Sequence, residues 1–168
     1  MMEQIDVLGP DRVAWIDEQF VIGIHRKPTG YFAACMAAQT RDELVLLLAR
    51  EGENLLGYLK VVWQPGYLPF REQGIPEVQD LNVMPNARRH GVASRLMDRT
   101  EALIATRSAI AGIGVGLHPG YGPAQRMYVL RGYVPDGLPL TYNGIPVHER
   151  QTVMLDDDLV LHLTKRVA

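Results

Sequence analysis

Apolar and polar positions run along this chain with two different periods, and the changes of period mark its elements. Residues 44–49 are all apolar (Leu44, Val45, Leu46, Leu47, Leu48, Ala49) and residues 55–63 nearly so, which predicts two strands over 44–50 and 55–63. The link Glu51-Gly52-Glu53-Asn54 has turn chemistry, so the two are expected as an antiparallel hairpin. Residues 77–83 read as another strand, stopped by Pro85, and residues 109–117 as a glycine-interrupted one. Helical spacing is clearest over 86–106. There Ala93, Leu96, Met97, Leu103 and Ile104 share one side, and Arg89, Arg95, Asp98, Arg99 and Glu101 serve the other. Residues 121–131 predict a further helix, with Pro123 in its first turn and Gly132 as its stop.

The flanks are read the same way. Ile5-Asp6-Val7-Leu8 suits a short strand, Asp11 suits the cap of a helix carrying Val13, Ile16 and Phe20, and alanine-rich residues 31–41 predict a second helix. Residues 64–76, punctuated by Pro65, Gly66, Pro69, Gly74 and Pro76, read as a loop. Asn143-Gly144 predicts a hairpin between residues 140–142 and 145–147. Asp156-Asp157-Asp158 predicts another, between 153–155 and 159–163. The order implies a mixed sheet with helices packed on it, an α/β (α+β) fold.

Composition narrows the function classes. At 168 residues the chain fits one domain, 1–168. A 47% hydrophobic and 21% charged composition excludes general disorder. The net charge of −2 supplies no bulk field for nucleic acid or an anionic membrane, so neither is an expected partner and any anion must be held locally. No apolar stretch is long enough to span a bilayer, and Met1 to Pro10 carry two acids and no basic side chain, unlike a signal peptide. A cytoplasmic protein is the expectation. Cys35 stands alone, so it forms neither an internal disulfide nor a CxxC zinc site, and it reads as a small buried hydrophobe. His25, His90, His118, His148 and His162 are scattered without metal-ligand spacing, so no metal is expected.

One segment carries chemistry: the strand from Glu77 through Leu81 and Val83 to Pro85, followed by Arg88, Arg89, His90, Gly91, Val92, Ala93 and Ser94 at a helix start. Amides at a helix start have no internal acceptors, the dipole adds partial positive charge, and Gly91 lets backbone approach a ligand closely. Arginines at the rim add full charges. The segment reads as a phosphate or pyrophosphate cradle, or as a plain basic helix entrance.

Arg88-x-x-Gly91-x-Ala93 resembles the Q/R-x-x-G-x-G/A acetyl-CoA signature of the GNAT superfamily of N-acetyltransferases, and Leu81-x-Val83-x-Pro85 is similar to the strand-to-loop pattern before it. A second run, Ala124-x-x-x-Tyr128-x-x-x-Gly132-Tyr133, resembles the A-x-x-x-Y-x-x-x-G-F/Y motif of that family's next helix. The resemblance implies a mostly antiparallel central sheet splayed between its fourth and fifth strands, with helices on both faces. It implies acetyl-CoA as co-substrate, its pantetheine amides paired with backbone of Leu81 and Val83 and its pyrophosphate on amides from Arg88 to Ser94. Ala124 belongs to the same cofactor-binding motif. Gly112, Gly114 and Gly116 are expected to leave room for a ligand arm, and Tyr121 stands where family members often have a cofactor-contacting asparagine.

For chemistry, the resemblance makes Tyr128 the general acid that protonates the departing thiolate, the alternative being a core tyrosine. Glu77 is the candidate base; Asp80 competes, but strict alternation puts it on the opposite strand face. Either acid could instead be a solvated or salt-bridged side chain. His90 is expected along the pyrophosphate loop, and His118 at the cleft mouth or in solvent. The expected activity is acetyl transfer to a primary amine of a small molecule by direct attack in a ternary complex. The alternatives are protein N-terminal or lysine acetylation, or a catalytically silent acyl-CoA-binding regulatory domain. Family members often pair as homodimers, and the terminal strand 159–163 is the candidate contact.

Overall fold

A computed structural model describes residues 4–21 and 27–168. His25 lies outside them. The chain divides into two compact units: residues 1–63 with 78–103, and residues 64–77 with 104–168.

The first unit is built on strands β1 (Gln4–Val7), β2 (Leu44–Glu51), β3 (Asn54–Val62) and β4 (Glu77–Val83, from Val78 on), lying in that order. The β2–β3 hairpin forms as expected, with Leu47 opposite Leu59, and a register shift near its tip at Ala49/Arg50. Gly52 takes φ +60° in the connecting turn. Helices α1 (Val13–Val21) and α2 (Tyr31–Thr40) pack with β2 around Ile16, Phe20, Phe32, Cys35, Leu46, Leu48 and Tyr58, all buried. The rings of Phe20, Phe32 and Tyr58 meet pairwise at 5.3 Å between centroids, tilted or edge-on, the geometry aromatic quadrupoles favour. Cys35 is buried in this cluster, as its sequence context suggests. Helix α4 (Val92–Ala105) buries Leu96 and Met97 completely. It starts six residues later than the apolar spacing implies, because Pro85–Ala87 form a separate 3₁₀ turn and a left-handed Arg89 and Gly91 interrupt helical geometry.

The second unit is built on β5 (Ile110–Gly116) and β9 (Leu159–Arg166), antiparallel with Gly114 opposite His162. The other edge of β9 takes β6 (Val134–Pro135) and β7 (Thr141–Tyr142), and β7 continues into β8 (Ile145–Pro146) through left-handed Asn143 and Gly144. Two expectations are corrected here. Residues 153–155 form no strand, so the second terminal hairpin is absent, and β9 finds its partners in β5, β6 and β7 instead. On one side β9 pairs with β5 along its length, and on the other it pairs with β7 at residues 159–160 and β6 at residues 163–164. Residues 64–76 also hold a short helix, α3 (Leu68–Glu72), which their prolines and glycines conceal. Helix α5 (Gly122–Leu130) ends at Gly132, φ +89°, as expected.

Candidate functional site

In the first unit, chemistry concentrates where β4 gives way to α4. Arg89 and Gly91 adopt φ +63° and +81°. Turns built with left-handed residues gather successive N–H groups into an anion-binding concavity. The first intrahelical bond runs from the Arg95 N–H to the Gly91 carbonyl, 3.1 Å, so the amides of Val92, Ala93 and Ser94 precede the ladder. Arg88, Arg89 and His90 are exposed around this turn, and Ala93 is half-buried behind it. A Cβ on Gly91 would meet Nη1 of Arg95 at 2.8 Å and would force a side chain into the left-handed region. The turn therefore fits a diphosphate. Arg88 also reaches back: its Nε donates to the Val83 carbonyl at 3.2 Å, tying the turn to the end of β4.

Strand β4 departs from simple alternation. Asp80 takes φ +60°, so the two-residue repeat is interrupted there and does not assign faces to Leu81 and Val83, which are half-buried. The Asp80 carboxylate accepts from Lys27 Nζ at 2.5 Å, from the Tyr31 hydroxyl and from Asn82 Nδ2 at 2.9 Å. Burial pushes its carboxyl up, but the hydrogen bonds from Lys27 and Tyr31 and the charges of Lys27 and Lys60 outweigh that and hold it below the usual carboxylate range. A carboxylate so engaged is a poor proton acceptor.

In the second unit, Glu77 is 7% exposed. Its neighbour Pro76 accepts from the Gly112 N–H at 2.9 Å, and its Oε1 lies 3.4 Å from where a Gly114 Cβ would stand. Tyr128, 5% exposed on α5, lies one turn beyond Ala124. Its hydroxyl is pushed up to about 12 by burial, with a smaller contribution from Tyr121.

The β5 glycines do something other than leave a ligand channel. A Cβ on Gly112 would stand 2.4 Å from the Phe70 ring, one on Gly114 2.8 Å from Val160 Cγ1, and one on Gly116 2.3 Å from the Tyr121 ring. The protein's own side chains occupy that face, which corrects the expectation of an empty wall. Tyr121 is fixed further by donating its hydroxyl to Asp157 Oδ1 at 3.0 Å. The same oxygen meets His118 Nε2 at 2.8 Å, while His118 Nδ1 accepts from the Gly120 N–H at 3.0 Å. His118 is thus engaged with the chain on both nitrogens.

Sequence reading missed a buried group beside Glu77. His162 is 6% exposed, stacked flat on Tyr67 and edge-on to Phe70, with its Cδ2 3.6 Å from the same Gly114 Cβ position. Tyr67 in turn donates to Asp136 Oδ2 at 2.8 Å. The only signal was the β period of residues 159–163, which says nothing about partners from residues 64–76.

The acetyltransferase (GNAT) family matches residues 11–133, from the start of the first helical segment to the tyrosine after Gly132. The chain belongs to the GNAT acetyltransferase family. As a GNAT protein it has the mixed, mostly antiparallel α/β fold of that family's solved structures. It is similar to an N-acetyltransferase of Staphylococcus aureus Mu50 (TM-score 0.71, 11% identity, 100% of both chains covered). It is also similar to the ribosomal-protein-S18-alanine N-acetyltransferase of Escherichia coli (0.68, 10%, 99% of this chain and 95% of that one). A third likeness is the spermidine/spermine N-acetyltransferase of Vibrio cholerae (0.65, 13%, 98% and 92%). No curated protein matches the sequence. Among the described residues of this GNAT chain, no cluster of three or more His, Cys, Asp or Glu could hold a metal, and no helix is long and apolar enough to cross a membrane.

Proposed function

We propose that the protein transfers an acetyl group from acetyl-CoA to a primary amine of a small molecule, by direct attack while both are bound. The observation that carries this reading is the turn opening α4, with left-handed Arg89 and Gly91, the helix start behind it and arginines around it, in a GNAT chain. Acetyl-CoA would supply an acyl group already activated as a thioester.

The chain's own residues then have three tasks. Amides from Arg88 to Ser94, with the Arg88 and Arg89 guanidiniums, hold the diphosphate and fix the register of the donor along β4, where backbone of Leu81 and Val83 aligns it. The N–H of Leu81 or Val83 meets the negative charge that develops on the carbonyl oxygen. Glu77 takes a proton from the incoming ammonium, directly or through water, and Tyr128 gives one to the departing sulfur. A phenol whose pKa is about 12 is fully protonated at neutral pH, as a general acid must be. Tyr121 and Ala124 complete the donor side in this reading, and His90 borders the diphosphate.

Two measurements test it. Arg88→Glu should weaken acetyl-CoA binding at least about tenfold by calorimetry, the loss of a charge-assisted contact plus repulsion; unchanged affinity removes the phosphate assignment. CoA release with a panel of polyamines, amino acids, aminoglycosides and peptide N-termini should single out a small amine. Turnover confined to peptides would move the acceptor to the protein class, and binding without turnover would make the domain a sensor.

A further inference from the structure

Asp80 is a non-glycine residue held at φ +60° in the middle of a strand, a strained conformation that persists only where its surroundings enforce it. The enforcement is visible. The side chain is 18% exposed and its carboxylate is gripped from separate elements: by Lys27, just ahead of α2, by Tyr31 at the start of α2, and by Asn82 further along β4. Asn82 Nδ2 lies 3.2 Å from the Tyr58 hydroxyl on β3 and donates to the Asp80 carbonyl at 3.0 Å, so backbone and side chain of Asp80 are both tied down. Lys27 rides over the rings of Tyr31 and Tyr58, at 5.0 and 5.8 Å, and Lys60 over Tyr31 at 5.3 Å. The grip makes the carboxylate a poor proton acceptor and ties down the residue that precedes the Leu81 amide.

We propose that Lys27, Tyr31 and Asp80 form a clamp that aims the Leu81 N–H, making Asp80 and Tyr31 positioning residues for polarising the acyl carbonyl. The proposal rests on the reading of β4 as the strand that aligns acetyl-CoA. It explains why an aspartate stands here: Asp tolerates the left-handed region better than most residues and brings the acceptor that three donors need. An exposed ion pair would demand neither the positive φ nor the aromatic cover.

The test uses carbonyl-¹³C acetyl-CoA and isotope-edited infrared spectroscopy of the bound thioester, which needs no acceptor. On the wild-type protein the carbonyl band shifts to lower frequency than in solution, because an aimed N–H draws density onto the oxygen. Asp80→Ala should lose most of that shift while calorimetric affinity for acetyl-CoA stays near the wild-type value. Asp80→Asn, which tolerates positive φ and still accepts from Tyr31, should keep part of it. A wild-type band in Asp80→Ala, or equal loss in Asp80→Asn and Asp80→Ala, overturns the clamp. If Asp80→Ala does not fold, Tyr31→Phe carries the test: partial loss of the shift supports the clamp and an unchanged band overturns it. Failure of the wild-type protein to bind acetyl-CoA overturns the functional reading itself. Binding without any shift overturns the clamp alone.

Discussion

The imidazole of His162 lies flat on the ring of Tyr67, with 3.5 Å between centroids and 1° between planes. Phe70 closes the edge at 5.6 Å, Nδ1 is buried without a hydrogen-bond partner among the described residues, and burial pulls the ring's pKa down to about 4, against a smaller opposing pull from Asp136. The folded protein therefore holds a neutral ring, where the unfolded chain takes up a proton at about 6.5.

That difference fixes the sign of an acid effect. Stability from His162 is complete above about pH 6.5, declines as pH falls toward 4, and levels off below it, a loss of up to about 3 kcal/mol. Denaturant melts at pH 7 and pH 4.5 should show it. His162→Phe, which keeps the stack and cannot ionise, should flatten the dependence; an equally steep variant would assign the effect elsewhere.

Tyr128→Phe removes a hydroxyl and little packing. Turnover should fall by about 100-fold, the usual worth of a positioned acid, with acetyl-CoA affinity nearly intact. Because the Tyr128 hydroxyl ionises only near 12, the wild-type pH–rate profile should show no basic limb from it below about pH 11. Full turnover in the variant would return Tyr128 to a packing role.

Glu77→Gln keeps the shape of a buried side chain and abolishes its ionisation. The acidic limb of kcat/KM should vanish along with most of the rate, while the melting temperature moves little. A persisting limb in the variant would take the proton acceptor away from Glu77.

Gly112→Ala and Gly116→Ala each drive a methyl against an aromatic ring, at 2.4 Å from Phe70 and 2.3 Å from Tyr121. Overpacking of this kind costs about 1–3 kcal/mol, and melts of the two variants measure it. The Gly116 variant should additionally loosen the Tyr121–Asp157 hydrogen bond, visible as faster amide exchange around residues 155–158.

Local signals proved legible where local physics decides. The Glu51–Asn54 turn, the Asn143-Gly144 hairpin, the limits of β4 and the Gly132 stop of α5 each rest on a few adjacent residues, and each is found where the sequence puts it. The turn at Arg88–Gly91 is visible as charge plus glycine, but its left-handed Arg89 is not, since arginine carries no preference for that conformation. Long-range partnerships are what the sequence hides. Residues 153–155 have an apolar texture that suits a strand, yet β9 pairs with β5 and leaves them none. The β5 glycines suggest emptiness, although the rings that fill them come from Phe70 and Tyr121. Asp80 reads as one more acid in a strand, because the lysine and tyrosine that hold it lie some fifty residues upstream, 53 and 49 positions away.

The place of β9 between β5 on one side and β6 and β7 on the other governs the order in which this half of the molecule can be completed. A ribosome making the chain releases β5, β6 and the β7–β8 ribbon before β9 exists, so three strands, β5, β6 and β7, wait with bare edges. Chaperone dependence and aggregation during synthesis should therefore peak in the interval before Leu159–Arg166 emerges.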